Sequence, residues 1–422
     1  MSPLPASPPP ATAAPDGARI MARIAALAAL SEQPDGLTRT YLTPQHQQAN
    51  ELVAGWMQEA GLHARIDAAG NVVGRREGRE PGLPCLMLGS HLDSVRNAGV
   101  YDGMLGVVTA IECVAALGDT PLPFAIEIVG FGDEEGVRFQ ATMLGSRAVA
   151  GTFDPALLDL TDRDGVPMRE AMARFGLDPT RIGEAARRRE DVLAYVEYHI
   201  EQGPVLEDEG LPVGVVTAIN GQARFRLTFE GMAGHAGTVP MGLRRDALAA
   251  AAECVLVAER LAGERPQAVA TVGQASVSPG ATNVIPGAVV LSLDVRAPDD
   301  GVRDALAADI LAACEATCAK RNVRLACERT HQLGSCACAP WLRGQLAAAV
   351  AAEGHPVREL PSGAGHDAMA MAALADVAML FLRCERGISH HPAEAITAED
   401  AAIGARVFAR FIAGFTAGRG GA

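Results

Sequence analysis

The chain has 422 residues, 49% of them hydrophobic and 20% charged, and subtracting 36 basic from 50 acidic residues gives a formal net charge of −14. This length predicts two or three domains with a substantial core, and the negative charge argues against nucleic-acid or anionic-membrane partners, because both select clustered positive charge. The single lysine, Lys320, argues against a Schiff-base enzyme and against a phosphate-binding loop.

The N-terminal segment contains six prolines in its first fifteen residues. This composition predicts a disordered arm over residues 1–17. The segment lacks the basic and apolar regions of a signal peptide, and no later apolar run is long enough to span a bilayer. We therefore expect a cytoplasmic protein. The nine cysteines form no paired C-x-x-C units, which predicts reduced thiols and no zinc ribbon.

Helices and strands alternate in the first third of the chain. Apolar periodicity and helix-stop signals predict helices over 18–30, 44–60 and 104–117, and short apolar runs predict strands over 83–89 and 124–131. This alternation is typical of a parallel-type α/β sheet.

The middle of the chain has a different pattern. Residues Gln222–Glu230 alternate between apolar and polar side chains, as in a half-buried antiparallel strand. Further predicted elements give the order βαββαβ, which is ferredoxin-like: a helix over 246–261, strands over 268–277 and 288–296, a helix over 299–320 and a strand over 322–328. We expect this smaller domain, 212–328, to interrupt a discontinuous α/β domain formed by 18–211 and 329–422, which closes with a helix over 398–413.

Histidines and acids follow the predicted strands, where α/β sheets gather their functional residues. His91 and Asp93 form an H-x-D at a strand end, a spacing that suits a metal-binding imidazole supported by a carboxylate. Asp102 stands in a turn before a helix, where it is either a helix cap or a metal ligand. His199 also ends a strand, and His390 lies in a loop.

Three consecutive acids, Asp133, Glu134 and Glu135, follow another strand. Acids at a helix N-terminus are the ordinary alternative. In the functional interpretation, one carboxylate binds a cation while its neighbour acts as general base. A mixture of imidazoles and carboxylates favours zinc, manganese or cobalt over calcium or magnesium.

Nine segments, taken together, resemble the di-metal amidohydrolases that include allantoate amidohydrolase, N-carbamoyl-L-amino-acid hydrolase and β-ureidopropionase. The resemblance covers about residues 18 to 416. It rests on GSHLDSV (89–95), GVYDGMLG (99–106), GDEEGVRF (132–139), YHIEQGPVLE (198–207), GHAGTVPMGLRRDA (234–247), NVIPG (283–287), DVR (294–296), LPSGAGHDAMA (360–370) and ISHHPAE (388–394). It implies a metal-binding α/β catalytic domain interrupted by a ferredoxin-like lid and dimerisation domain, and hence a homodimer.

The resemblance also implies a role for each matching residue of the metal site. Two divalent ions would be bound, with Asp102 shared between them. The first would be held by His91, Asp102 and His199, and the second by Asp102, Glu135 and His390. Glu134 would be the general base, and Asp93 would support His91.

The substrate would be bound by Gln202, His235, Asn283, Arg296 and the backbone at Gly365, with the residues of the inserted domain acting in their own subunit's site or in the partner's. His235 would also stabilise the transition state. The family usually has asparagine where this chain has His391, which therefore remains a second candidate ligand.

The implied reaction is hydrolysis of a ureido or carbamoyl C–N bond next to a carboxylate. The residues of these motifs look most similar to those of allantoate amidohydrolases. This similarity favours allantoate as the substrate, with release of ammonia and carbon dioxide. An N-carbamoyl-L-amino-acid hydrolase and a β-ureidopropionase are the alternatives. Two further alternatives remain open: a peptidase or aminoacylase, and a metal-binding protein without catalytic activity.

Overall fold

The computed structural model describes residues 14–418. Most of the arm predicted over 1–17 therefore lies outside the described residues. At its end, Asp16 caps the first helix, because its carboxylate accepts the backbone N–H groups of Ala18 and Arg19 at 2.9 and 3.3 Å. The helix begins at Gly17.

The α-helices of the described chain are α1 (Gly17–Ala28), α2 (Pro44–Glu59), α3 (Met104–Ala116), α4 (Leu144–Val149), α5 (Met168–Phe175), α6 (Val205–Asp208), α7 (Ala247–Gly263), α8 (Asp300–Lys320), α9 (Pro340–Ala352), α10 (Ala368–Met371) and α11 (Ala398–Gly414). The six helices predicted from the sequence begin and end within two residues of observed ones. None of the helices between residues 14 and 418 combines the length and the apolar character needed to cross a membrane.

The strands are β1 (His63–Ile66), β2 (Val72–Arg76), β3 (Cys85–His91), β4 (Ala125–Phe131), β5 (Val192–Ile200), β6 (Val213–Ile219), β7 (Gly221–Glu230), β8 (Gly234–His235), β9 (Val269–Thr271), β10 (Ala275–Ser278), β11 (Val284–Ile285), β12 (Ala288–Ala297), β13 (Arg324–Leu333), β14 (Cys336–Ala337), β15 (Glu359–Ser362) and β16 (Val377–Leu382).

The chain divides into two compact units. Of the described residues, the first comprises 14–217, Cys338–Leu360 and 364–418, and the second comprises Ala218–Ala337 and Pro361–Gly363. The sequence predicts the corresponding boundaries at 211/212 and 328/329. The arrangement is thus a smaller segment inserted into a discontinuous larger one.

The large sheet has nine strands in the order β1-β2-β4-β3-β5-β16-β6-β14, with β15 also paired to β6. Its centre is parallel, because β3 pairs in parallel with β4 and β5, and β5 with β16. The expectation of a parallel-type sheet is wrong for the flanks, where β1/β2, β2/β4 and β16/β6 are antiparallel. Only five residues join β1 to β2, too few for the crossover that a parallel pair needs.

The four parallel strands end at one edge of the sheet, and this edge positions the site. His91 ends β3 and is paired with Phe131 at the end of β4. His199 in β5 is paired with Phe381 in β16. These four strands are buried along almost their whole length, and their interiors are mostly apolar, with Glu127 in β4 and Glu197 in β5 as exceptions.

The second unit contains a five-stranded antiparallel sheet in the order β10-β12-β7-β13, with β9 also paired to β12. As predicted, Phe225, Leu227 and Phe229 of β7 are buried. They share a core with residues of α7 and α8, including Ala251, Cys254 and Ile310. In chain order, the elements of this unit include β7, β8, α7, β9, β10, β11, β12, α8, β13 and β14.

Two predicted strands of this unit need correction. The strand predicted over 268–277 is divided into β9 and β10. Between them, the backbone N–H of Gln274 donates to the hydroxyl of Ser292 (3.0 Å), while its carbonyl accepts the N–H of Ser292 (3.1 Å). The strand predicted over 322–328 extends to Leu333, with an irregularity in register between Arg329 and His331.

Candidate metal centre

Asp102 is the centre of a cluster of buried polar side chains in the first unit. Its Oδ1 lies 3.1 Å from Nε2 of His199 and 3.5 Å from Nε2 of His91. Its Oδ2 lies 3.3 Å from Nε2 of His390, which is itself 3.3 Å from Oε1 of Glu135. One carboxylate therefore faces imidazoles with both of its oxygens.

The turn that carries Asp102 does not use this side chain as a helix cap. The N-cap of α3 is Gly103, with φ of +76°, and no side chain caps the helix. A Cβ atom at Gly103 would lie 2.5 Å from the imidazole of His91, so only glycine allows the turn to pass this close to the ring. The capping alternative for Asp102 is thereby excluded, and its carboxylate is available to a cation.

The two buried imidazoles have their Nδ1 atoms occupied. Nδ1 of His91 lies 3.1 Å from the carbonyl oxygen of Asp93, and Nδ1 of His199 lies 2.9 Å from that of Ile200. Because a carbonyl oxygen only accepts, both Nδ1 atoms carry hydrogen. The N–H of Gly103 is directed at Nε2 of His199 (3.2 Å), so this nitrogen presents a lone pair. Such a nitrogen beside a carboxylate oxygen is suited to a shared cation.

Burial and hydrogen bonding oppose each other at Asp102. Burial acts to raise its pKa, but the neighbouring imidazoles of His199, His390 and His91 outweigh burial and hold the pKa well below its ordinary value. The carboxylate is therefore ionised and ready to bind a metal.

The acidic turn after β4 is held by Asp93. The carboxylate of Asp93 accepts the backbone N–H groups of Glu134 (3.0 Å) and Glu135 (3.2 Å). Its Oδ1 lies 3.6 Å from Nδ1 of His91, beyond hydrogen-bond distance, so its contact with that ring is made by its backbone carbonyl. Asp93 thus connects the end of β3 to the acidic turn.

The three acids of this turn do not stand at a helix N-terminus, because the next helix, α4, begins only at Leu144. The turn is tight, with Asp133 in the left-handed region at φ of +62°. Burial raises the pKa of Glu134 well above its ordinary value, and the neighbouring carboxylate of Glu135 adds to the rise. A raised carboxyl pKa is what a residue that takes and returns a proton needs.

Donor atoms in this region form groups whose members all lie within 4.8 Å of one another. The described residues contain four such groups: His91, Asp102 and His199; Asp102, Glu135 and His390; His91, Glu134 and Glu135; and Glu197, His199 and His366. The first two are the two ligand sets that the sequence resemblance implies. Their nitrogen and oxygen donors fit zinc, manganese or cobalt.

His390 and His391 have different surroundings. His390 adopts φ of +56° and directs Nε2 between Asp102 and Glu135. His391 belongs to none of the donor groups found among residues 14–418. Its Nδ1 accepts the backbone N–H of Ala393 at 3.1 Å. An asparagine side chain makes the same local bond two residues ahead, so histidine takes over a turn-forming role here.

Two of the predicted substrate residues lie in the first unit. Nε2 of Gln202 donates to Oδ2 of Asp102 (2.8 Å), and its Oε1 is buried with no hydrogen-bond partner among the described residues. A Cβ atom at Gly365 would lie 3.9 Å from Oε1 of Glu134. Both positions therefore border the donor groups.

The other three lie in the second unit. His235 in β8 is paired with Val284 in β11, and the carbonyl of Asn283 accepts the N–H of Ala236, so His235 and Asn283 are neighbours. Arg296 belongs to a different strand, β12. Its guanidinium donates to Asp294 through Nε (3.0 Å) and Nη2 (3.2 Å) and to the carbonyl of Gly363 through Nη1 (2.8 Å).

Sequence reasoning gave no role to several side chains of this region. Ser389 and Glu394 contact Asp102, and Glu197 accepts from Ser90 and from the backbone N–H of Ala368. Ser389 and Glu394 stand within ISHHPAE, so their position in that motif was the available signal. The Asp102–Glu394 contact joins positions 292 residues apart, which a single sequence does not reveal.

Residues 87–414 match the family model described as Peptidase family M20/M25/M40. The N-carbamoyl-L-amino acid amidohydrolase of Geobacillus stearothermophilus is 44% identical over 394 residues, covering 93% of this chain and 96% of that protein. Allantoate deiminase 1 of Glycine max is 40% identical over 414 residues, covering 90% and 86%. The crystal structure of an amidase of the hydantoinase/carbamoylase family from Burkholderia multivorans aligns with a TM-score of 0.89 at 34% identity, covering 96% and 98%.

Proposed function

The chain belongs to the peptidase family M20/M25/M40, and from this premise we propose that it hydrolyses the C–N bond of a carbamoyl or ureido group next to a carboxylate. Relatives at 40–44% identity are named for allantoate and for N-carbamoyl-L-amino acids. Allantoate, with release of ammonia and carbon dioxide, is the first candidate substrate. N-carbamoyl-L-amino acids are the second, because that relative is 44% identical.

The observation that carries the proposal is the position of Asp102, with both carboxylate oxygens facing imidazoles. We propose two divalent cations, zinc or manganese or else cobalt. His91, Asp102 and His199 would hold one, and Asp102, Glu135 and His390 the other. When bound, such cations polarise a carbonyl oxygen and lower the pKa of a coordinated water.

The side chains of the protein would then handle the proton and the substrate. Glu134 takes a proton from the attacking water on its carboxylate and returns it to the leaving nitrogen. Asp93 keeps Glu134 in place through the backbone N–H of the acidic turn. The unpartnered Oε1 of Gln202 is an acceptor for an N–H of the ureido group.

The remaining assignments concern the anionic end of the substrate. We propose that Arg296 binds its carboxylate, because a guanidinium offers a planar pair of donors. His235 would stabilise the negative oxygen of the transition state, and Asn283 and the backbone at Gly365 would complete the pocket. The lid and dimerisation roles of the inserted unit, the homodimer and the cytoplasmic location also remain predictions.

The test measures ammonia release from the ureido and carbamoyl substrates, and free amino acid from a dipeptide, with zinc- or manganese-loaded protein. Allantoate, N-carbamoyl-L-amino acids, N-carbamoyl-β-alanine and a dipeptide are compared at equal concentration. We expect kcat/KM to be highest for allantoate. If kcat/KM is highest for N-carbamoyl-L-amino acids, the second candidate substrate is selected. Hydrolysis of the dipeptide alone contradicts both.

A further inference from the structure

Glu394 is a buried carboxylate that contacts the turn carrying Asp102, and its residue is 5% exposed. Its Oε1 accepts the backbone N–H of Tyr101 at 2.7 Å and that of Asp102 at 3.1 Å. A buried carboxylate is stable only when it is hydrogen-bonded or paired. The partners of Glu394 are two backbone amides of a single turn. Glu394 therefore fixes the backbone from which the Asp102 side chain projects.

The same glutamate also reaches the Asp102 side chain through Ser389. Oγ of Ser389 lies 3.0 Å from Oε2 of Glu394 and 2.6 Å from Oδ2 of Asp102. A hydroxyl has one hydrogen, and the shorter distance shows that Ser389 donates it to Oδ2 of Asp102, while Oε2 of Glu394 remains in contact with the same Oγ. Asp102 is thus held at its backbone and at its carboxylate by one connected group of residues.

The chain leaves space for this arrangement at Gly99. A Cβ atom there would lie 2.3 Å from both Cβ and Cδ of Glu394 and 2.4 Å from its Oε1. Any larger residue at 99 would displace the glutamate, so the turn and the carboxylate fit each other closely. The loop after β16 thereby supplies both His390 and the residues that orient the carboxylate facing it.

A shared carboxylate needs a fixed orientation. Oδ1 of Asp102 must face His91 and His199 while Oδ2 faces His390. Rotation about its side-chain bonds would improve one donor group only by spoiling the other. Partners that orient a ligand in this way commonly change metal affinity 10- to 100-fold when they are removed.

We propose that Glu394 is the positioning residue of Asp102, acting through the Tyr101–Asp102 amides and through Ser389, and that it sets the affinity of the centre for its cations. This inference rests on the metal centre of the proposed function. It extends that function to residues that touch neither cation nor substrate.

The experiment titrates the full chain with Zn²⁺ alone, against a competing chelator. Glu394→Ala is expected to weaken zinc binding about tenfold to a hundredfold. Glu394→Gln keeps an oxygen acceptor for both amides and is expected to stay within about threefold of the unchanged chain. Ser389→Ala, which removes only the side-chain connection, should fall between the two.

The matched control is Glu112→Ala. Glu112 is also a buried carboxylate, but it accepts the backbone N–H of Asp16 and pairs with Arg19, at the start of α1. It is expected to reduce the unfolding temperature without changing zinc affinity. If Glu394→Ala does not fold, Ser389→Ala decides, since that variant removes no buried charge.

Zinc affinity within threefold of the unchanged chain in folded Glu394→Ala, or in Ser389→Ala where it decides, overturns the inference. An unchanged chain that binds no zinc overturns it together with the proposed metal centre. Stoichiometric zinc binding without hydrolysis of any tested substrate overturns only the proposed function. The two failures are therefore distinguishable.

Discussion

At the scale of single residues, neighbouring acids in one turn have separate tasks. Glu135 directs Oε1 towards Nε2 of His390, whereas Glu134 lies beside Gly365 with a raised pKa caused mainly by burial. The backbone of both residues is fixed by the same carboxylate, Asp93. A substitution at one of the two acids should therefore affect catalysis and metal content unequally.

Glu134→Gln is expected to lower kcat at least about a hundredfold, because an amide cannot accept the proton. Bound metal per chain, measured by elemental analysis, should stay unchanged. Glu190→Gln, an exposed substitution, serves as the control. Near-normal ammonia release by Glu134→Gln would remove the general-base role.

Arg296→Lys should raise KM for a carboxylated ureido substrate by about thirtyfold, equivalent to about 2 kcal/mol. An ammonium group does not reproduce the planar donor pair, and it also loses the paired contact with Asp294. Arg226→Lys is the control, because this arginine pairs with Glu328 elsewhere on the same sheet. Steady-state kinetics give both values, and an unchanged KM counts against Arg296 as the carboxylate-binding residue.

His391→Asn is expected to keep activity and metal content within about twofold, because asparagine can accept the same local N–H that Nδ1 of His391 accepts from Ala393. His390→Asn, the neighbouring substitution, should lose metal from the centre. The metal contents of the two variants, measured side by side, are the readout. Equal losses would restore His391 as a candidate ligand.

At the scale of elements, α2 is anchored by a histidine that must be neutral. Nδ1 of His46 accepts the backbone N–H of Leu42 (3.1 Å), and burial lowers the pKa of His46 to about 4. The unfolded chain binds this proton with a pKa of about 6.5. The folded state therefore keeps its full stability above pH 6.5 and loses up to about 3 kcal/mol as the pH falls to 4.

His46→Asn keeps an acceptor for Leu42 and removes the titration. Between pH 6.5 and 4, its free energy of unfolding should therefore fall less steeply than that of the unchanged chain, as measured by urea denaturation. His63→Asn, at an exposed position, is the control and should keep the original slope. Parallel slopes in all three proteins would show that His46 is not the group responsible.

Elements were predictable from the sequence where local signals agree. Helices with polar caps and strict apolar periodicity, such as the one over Ala398–Gly414, have boundaries close to the prediction. The break between Thr271 and Ala275 is not predictable from local periodicity, because the partner of Gln274 there is Ser292, in a different strand. The antiparallel flanks of the large sheet were missed because strand direction depends on pairing between distant segments.

The residues of the metal site were predictable from the sequence, but the contacts that hold them in place were not. The resemblance of the nine segments to the amidohydrolases implies both ligand sets, and the structure brings the donor atoms of each set within 4.8 Å of one another. The contacts of Asp93 with the acidic turn, and of Glu394 with Asp102, follow from the fold and not from spacing along the chain. They became visible only once the ends of β3, β4 and β16 were in place.

At the scale of the whole molecule, cations should contribute to stability. The clustered carboxylates of the first unit repel one another, and a ligand that binds only the folded chain stabilises it by about 2.7 kcal/mol at a hundredfold excess over its Kd. We expect zinc or manganese to raise the unfolding temperature and a chelator to reverse the rise. Asp102→Asn, which weakens both donor groups, should show a much smaller rise in calorimetry. An equal rise in that variant would place the stabilising cation elsewhere.

The longer segment of the second unit, Ala218–Ala337, begins and ends at adjacent points, because the backbone N–H of Cys338 donates to the carbonyl of Thr217 at 3.0 Å. The 120 residues between them, Ala218–Ala337, therefore form a cassette whose two ends are already side by side. Every member of the donor groups lies outside that cassette. Exchanging the inserted segment for another would therefore leave every residue of the four donor groups in the chain.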